Sequence, residues 1–288
     1  MNTETVVIGG DMRMIYAGKR LAEHRSCSLA GFDGLGADQR AGLPLSGTGG
    51  RYDIAVLPIF AGNTREIRCP YANRTYDIGI IPLLVKPGGA VFTGRTFPEL
   101  KALCETSGIE LYDYLAREEF AVRNAVLTAE GTVETAIRET AGSIHGSKVL
   151  ILGFGRIGKL CARYFSALGA SVSAAARKKS DIAWIAAYDC TPVDFTDEKE
   201  LKSALADAEI IVNTVPAQVL TGTRAEAVNP DALLIELASV PCTDSTSRIR
   251  TVNAGGLPGR TAPRAAGTVI ADTIENILAE RRMNNGGA

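Results

Sequence analysis

Histidine is nearly absent from this chain of 288 residues: His24 and His145 are the only two. Because histidine is the commonest general acid-base group, chemistry built on a His-carboxylate pair has little to draw on here. Six cysteines, at positions 27, 69, 104, 161, 190 and 242, stand singly, with no C-x-x-C and no Cys/His pairing. That argues against a disulfide framework and a zinc site, and leaves each thiol the usual fate of a small buried apolar side chain. An excess of either charge is lacking too, since 31 basic and 32 acidic residues leave a formal net charge of -1. No bulk field then favours nucleic acid or an anionic membrane, and any anion must be caught locally. No stretch of about 18 residues is free of charges and breakers, and no basic start leads into a long apolar run. A cytoplasmic protein is expected.

What is present is ordinary globular material, 46% hydrophobic and 22% charged, long enough for two modest domains. In the first half, TVVIGG, CSLAGF, YDIAVLPIF, GAVFTG and IELYDY read as strands. Segments such as MRMIYAGKRLAEH and FPELKALCETSG, the latter closed by Gly108, read as helices between them. The alternation predicts a small, mostly parallel, flavodoxin-like α/β domain over residues 1–125. Residues 126–143 read as a connecting helix capped by Thr128, with Val133 and Ile137 on one face and Glu134 and Arg138 as an i,i+4 pair. From 144 to 264 the pattern becomes VLIL, a Gly-rich turn, a helix, ASVSAAA, a helix around EKELKSALADA, then IIVNTV, ALLIELA and RTVNA. That is a doubly wound parallel sheet of the Rossmann type. A last helix, 265–285, puts Val269, Ile270, Thr273, Ile274, Ile277 and Leu278 on one stripe, which must pack on something, and the first domain is the expected partner.

The stretch KVLILGFGRIGKLCARYFSALGA carries the sharpest chemistry. Gly153, Gly155 and Gly158 satisfy G-x-G-x-x-G directly after an apolar strand and directly before a helix, the context in which the motif binds a dinucleotide. Gly153 permits the tight turn, Gly155 lets backbone approach the pyrophosphate, and Gly158 lets helix and strand pack closely. With Phe154, Arg156 and Ile157 they form the loop whose helix end offers N–H groups to an anion. The next strand, 170–176, delivers Arg177 and Lys178 where an Asp or Glu would hold both ribose hydroxyls of NAD. An acid there repels the 2′-phosphate of NADP and a cation attracts it, so NADP is the expected cofactor. A hydrogen bond to a charged group contributes about 1.5–3 kcal/mol, roughly a ten- to hundredfold preference.

Several stretches taken together resemble the family of the dipicolinate synthase A subunit: IGGDMR (8–13), TAEGT (128–132), IHGSKVLILGFGRIGK (144–159), NTVP (213–216), ELASVP (236–241) and GGLPGRTAPRAAG (255–267). Cys242-Thr243 stands where Gly-Gly is frequent in that family, and Arg264 where Lys is common. The resemblance implies an NADP-linked oxidation of dihydrodipicolinate, or of its hydrated tetrahydro precursor, in endospore-forming bacteria. It also implies a flavoprotein-like B subunit as partner, and a homo-oligomer is expected.

A planar dicarboxylate needs cations or helix N-termini at two points, beyond the carboxyl ends of the strands. GGLPGRTAPRAAG reads as an irregular segment that presents Arg260 and Arg264, with Pro263 in the first turn of the last helix. TAEGT reads as a facing helix N-terminus offering Gly131 and Thr132, with Glu130 either a base or part of the cap. Thr214, Val215, Pro216, Leu237 and Ala238 end two strands on the expected nicotinamide side, and Asp11 and Arg13 are candidate contacts in the first domain. Asp11 and Glu130 are the candidate proton acceptors. Oxidising an alcohol would want a histidine base, whereas a dihydropyridine loses hydride with aromatisation as the driving force, so positioning can supply most of the catalysis. Two rival readings stay open: another NADP-dependent dehydrogenase acting on a 2-hydroxy or 2-amino acid, and a non-catalytic NADP-binding protein that organises a catalytic partner.

Overall fold

The computed structural model describes residues 3–46, 51–60, 62–244 and 248–285. Contacts divide the chain into two compact units, Met1–Asn124 with Ala262–Ala288, and Ala125–Thr261.

The first unit runs β1 (Glu4–Ile8), α1 (Met12–Leu21), β2 (Ser26–Ala30), β3 (Tyr52–Ile59), β4 (Glu66–Ile67), β5 (Tyr76–Asp77), α2 (Ile81–Leu84), β6 (Val85–Gly94), α3 (Pro98–Thr106) and β7 (Glu110–Asp113). Its five-stranded sheet is parallel with order β2-β1-β3-β6-β7, the flavodoxin-like arrangement. The strands read as apolar runs because both faces are covered: Val6, Val7 and Ile8 are all fully buried. The stretch 62–76 supplies β4 and the start of β5, which form a short antiparallel ribbon. It closes over the turn after β1, where Gly10 N–H donates to Arg68 O at 2.7 Å. A Cβ at Gly9 would lie 2.4 Å from Cys69 Sγ, so the ribbon requires the glycine.

The second unit follows the start of α4 (Glu118–Glu139) and runs β8 (Lys148–Leu152), α5 (Arg156–Ala167), β9 (Ser171–Ala176), α6 (Lys179–Ala187), β10 (Thr191–Asp194), α7 (Glu198–Asp207), β11 (Ile210–Asn213), α8 (Thr223–Glu226), β12 (Leu233–Glu236), β13 (Thr251–Asn253) and α9 (Leu257–Thr261). The parallel order β10-β9-β8-β11-β12-β13 is that of a doubly wound dinucleotide-binding sheet. Alternation along β8 divides the core: Val149 and Ile151 pack with Cys161 and Phe165 of α5, Leu150 and Leu152 with Leu201 and Leu205 of α7. Two of these elements, α6 and β10, stand outside the sequence pattern. TPVD has one apolar residue and a proline, tolerated because β10 is an edge strand, and α6 buries only Ile185 fully.

The last helix, α10 (Pro263–Asn285), returns to the first unit and lies along α1. Gly267 makes the approach possible, since a Cβ there would fall 2.4 Å from Arg13 O and 2.8 Å from Ala17 N. Arg25 and Arg20 of the same unit reach α10 at Glu275 and Asp272.

Two expectations are corrected here. The helix capped by Thr128 is the second half of a 22-residue α4 that begins at Glu118, so TAEGT is interior helix and offers no free N-terminus. Gly131 is a point of close packing, where a Cβ would lie 3.0 Å from Leu257 Cβ and Thr261 Oγ1. The segment 255–267 is also more regular than its Gly and Pro content suggests. Pro258 and Pro263 fall at the first turns of α9 and α10, where a missing N–H costs nothing.

Candidate functional site

The turn between β8 and α5 has the geometry that the glycine pattern predicts. Gly153 has φ of +93°, and a Cβ on it would lie 2.5 Å from Thr214 Oγ1. A Cβ on Gly158 would strike Gly153 O at 2.2 Å, which is the close helix–strand contact. Gly155 differs, since no heavy atom lies within 4 Å of its would-be Cβ and its φ is an ordinary -79°. Nothing in the protein's own packing requires that glycine, whereas an incoming pyrophosphate would. Gly155 is also the N-cap of α5 and supplies no side-chain hydrogen bond, unlike Asp197 at α7, and a helix N-terminus of this kind suits an anion. Arg156 and Ile157 open that helix, and Phe154 between the glycines is buried in the core.

Beside this turn lies a cleft of about 400 Å³ lined by Gly153, Phe154, Ala176, Arg177, Lys178, Asp181, Phe195, Thr196, Val215, Val219 and Arg224, among others. Arg177 and Lys178 are exposed, and Lys178 caps α6, whereas Lys179 turns away to pair with Asp194. Arg224 joins them from a distant part of the sequence. Its guanidinium sits 5.3 Å from the Phe195 ring centroid, and its Nε donates to Glu198 Oε1 at 3.0 Å. Sequence reasoning missed Arg224 and Phe195, because no motif marks residues that only the β10 and β11 crossovers bring together, and it passed over Asp181, which follows Lys178 closely in the first turn of α6.

On the other side of the glycine turn, Thr214 Oγ1 donates to Leu152 O at 2.9 Å, which fixes the turn that carries Val215 and the exposed Pro216. Leu237 and Ala238, both half-buried, follow β12. Sequence reasoning also passed over the two buried polar residues behind these loops, Asn213 and Glu236.

Among the expected substrate contacts, Asp11 caps α1 and accepts from Arg13 N–H at 3.1 Å, while Arg13 Nε and Nη2 donate to its carboxylate at 2.9 and 2.8 Å. Burial pushes the Asp11 carboxyl up, but the Arg13 hydrogen bond and charge, with Arg68 beyond, outweigh it and leave the group below its ordinary value. Asp11 is therefore a weak base and a firm holder of Arg13. Thr132 and Gly131 are removed as ligands: Thr132 is fully buried with its hydroxyl donating to Thr128 O at 2.7 Å, and Gly131 lies under Leu257 and Thr261. Glu130, Arg260 and Arg264 are all exposed, Arg264 in the first turn of α10. Of the histidines, His24 is exposed after α1, and His145 precedes β8 with its ring against Gly169, so both lie toward the amino ends of strands. Burial pushes the Cys27 and Cys161 thiols up to about 12, and those of Cys104 and Cys69 to about 11. No group of three potential metal ligands occurs among the described residues, and no described helix is long and apolar enough to cross a membrane.

The sequence falls into two family matches that meet at one residue. Residues 4–115 match the N-terminal domain of the dipicolinate synthase A subunit, and residues 115–259 the NAD binding domain of the D-isomer specific 2-hydroxyacid dehydrogenases. The dipicolinate synthase A subunit of Bacillus subtilis (strain 168) is 31% identical over 303 aligned residues, 97% of each chain. The crystal structure of the corresponding A subunit from Bacillus halodurans superposes with a TM-score of 0.83 at 29% identity, covering 96% of this chain and 98% of that one. The Bacillus subtilis structure gives 0.82 at 30% identity, over 99% and 98%. With likeness running through both units, the chain belongs to the family of the dipicolinate synthase A subunit and carries a nicotinamide-dinucleotide-binding dehydrogenase domain.

Proposed function

We propose that this chain is the NADP-dependent oxidising component of a dipicolinate synthase, forming pyridine-2,6-dicarboxylate from dihydrodipicolinate or its hydroxylated tetrahydro precursor. The observation that carries the reading is the end-to-end likeness to the Bacillus subtilis protein, 97% of both chains, joined to a cleft with three cations. Arg177 and Lys178 supply the preference for a 2′-phosphate. The uncapped first turn of α5 takes the pyrophosphate, and Thr214, Val215, Pro216, Leu237 and Ala238 flank the nicotinamide. NADP, when bound, supplies the hydride acceptor.

Two tasks remain for the chain's own side chains. Arg264, with Arg260, offers an exposed guanidinium to one carboxylate, and Arg13, held in place by Asp11, to the other. Dihydrodipicolinate gives up one hydride and one proton to become the aromatic product, and Glu130, an exposed carboxylate, receives the proton. Asp11 is the weaker candidate, because Arg13 already stabilises its charge. The position of both histidines away from the carboxyl ends of the strands favours this chemistry over oxidation of a 2-hydroxy acid, which would want a basic imidazole at the reacting carbon. On this reading the chain works in the cytoplasm of a sporulating cell, as a homo-oligomer with the flavoprotein-like B subunit of the synthase as its partner.

The test is to mix dihydrodipicolinate and NADP with the purified chain, alone and then with the flavoprotein-like partner, and to follow the ultraviolet absorbance of the aromatic product. Product formation is expected. Turnover of 2-hydroxy or 2-amino acids instead would mark a different dehydrogenase, and tight NADP binding without turnover in either mixture would leave a non-catalytic binding protein.

A further inference from the structure

A carboxylate sunk into the core of the nucleotide unit demands a physical account. Glu236, the last residue of β12, is 3% exposed, and Asn213, the last of the neighbouring β11, is 0% exposed. The two strands pair in register at this point. Burying an ionised group is costly unless its oxygens are met by donors. Here the donors are neutral. Asn213 Nδ2 reaches Glu236 Oε1 at 2.7 Å, Ala238 N–H reaches the same oxygen at 2.9 Å, and Cys242 N–H reaches Oε2 at 2.7 Å.

The Ala238 and Cys242 bonds end in the loop after β12, one of the two loops flanking the glycine turn. Asn213 completes the set by exchanging two bonds with Val215, Nδ2 to the carbonyl and the Val215 N–H to Oδ1, both at 3.0 Å. The loops are then stitched to one another: Val219 and Leu220 N–H donate to Cys242 O at 2.9 and 2.8 Å. Thr214, between Asn213 and Val215, rests on Gly153 and bonds Leu152 O. One buried pair thus sets the separation of residues 214–216 from 237–238 and references both to the pyrophosphate turn.

We propose that Asn213 and Glu236 are a positioning pair for the nicotinamide end of the cofactor. They hold the two strand-end loops at the spacing in which the ring can be clasped, without touching it themselves. The proposal rests on the dinucleotide reading of the cleft. The adenosine end is gripped by other elements, chiefly the end of β9 and α8, so the two ends of the cofactor are separable by experiment.

Glu236→Gln puts an NH₂ group against at least one backbone N–H that now has an acceptor. The expected result is that affinity for 2′,5′-ADP stays within about twofold of the parent protein, while NADP⁺ weakens about tenfold. The emission shift of NADPH enclosed by the parent protein should be lost as well. Glu236→Asp keeps the charge and should fall between the two. It also carries the test if circular dichroism shows that the Gln variant does not fold. Parallel loss of 2′,5′-ADP and NADP⁺ would reduce the pair to a general structural role and overturn the proposal, as would unchanged binding of both with unchanged NADPH emission. Parent protein that binds neither ligand, nor ADP and NAD⁺ measured beside them, would overturn the dinucleotide reading itself.

Discussion

Arg177 stands one residue past the end of β9, exposed, on the wall of a cleft that it shares with Lys178, Arg224 and Asp181. If that wall receives a 2′-phosphate, Arg177→Ala raises the KM for NADPH at least about tenfold and hardly changes that for NADH. Equal effects on both cofactors, measured by steady-state kinetics, would remove Arg177 from the phosphate site. Asp11 allows a test by pH. Its folded carboxyl titrates below the ordinary 3.8, despite burial, because Arg13 stabilises the charge. The unfolded chain therefore binds that proton more readily, and the stabilisation is present above about pH 4 and is lost as pH falls through the folded value. Asp11→Asn keeps an acceptor for the cap but discards the ion pair. Its Tm should lie below that of the parent at pH 7, with the gap narrowing as pH falls below about 4. Residue types of this kind were legible in the sequence wherever a motif fixed their place, as at Gly153, Gly158 and Arg177. Arg224 and Glu236 were not, because their roles depend on which strands lie side by side.

At the level of elements, helix packing shows where local pattern suffices and where it misleads. The stripe on α10 correctly announced a buried face, and its burial includes Val269, Ile270, Ile274 and Leu278. Gly267 on the same helix is where backbone meets backbone in α1, and neither Arg13 O nor Ala17 N belongs to a flexible side chain that could move aside. Gly267→Ala should therefore destabilise by about 1–3 kcal/mol in spite of alanine's better helix propensity. A lowered urea midpoint with an unchanged m-value would register it. Gly131 shows the opposite lesson. TAEGT looked like the start of an element, yet α4 runs straight through Gly131, and the missing side chain makes room for Leu257 and Thr261. Glycine in a sequence marks either a turn or a close approach, and the chain alone does not say which.

In the whole molecule, the nucleotide chemistry is concentrated in the unit Ala125–Thr261. Amide hydrogen exchange with and without NADP should show added protection in residues 153–158, at 176–178 and in 213–219, and little in β1 to β3. Uniform protection across the chain would speak against a site confined to the glycine turn and its neighbours. The sequence by itself determined the two α/β halves, the strand–turn–helix at Gly153 to Gly158 and the cation after β9, because each depends on residues adjacent in the chain and on periodicity. Tertiary structure alone decided that TAEGT is interior helix, and that Arg224 shares a cleft with Arg177. It alone also decided that Asn213 and Glu236 close on one another behind the strand-end loops. Each of those outcomes depends on strand order and on the close approach of distant backbones, which act over distances that no local pattern of residues records.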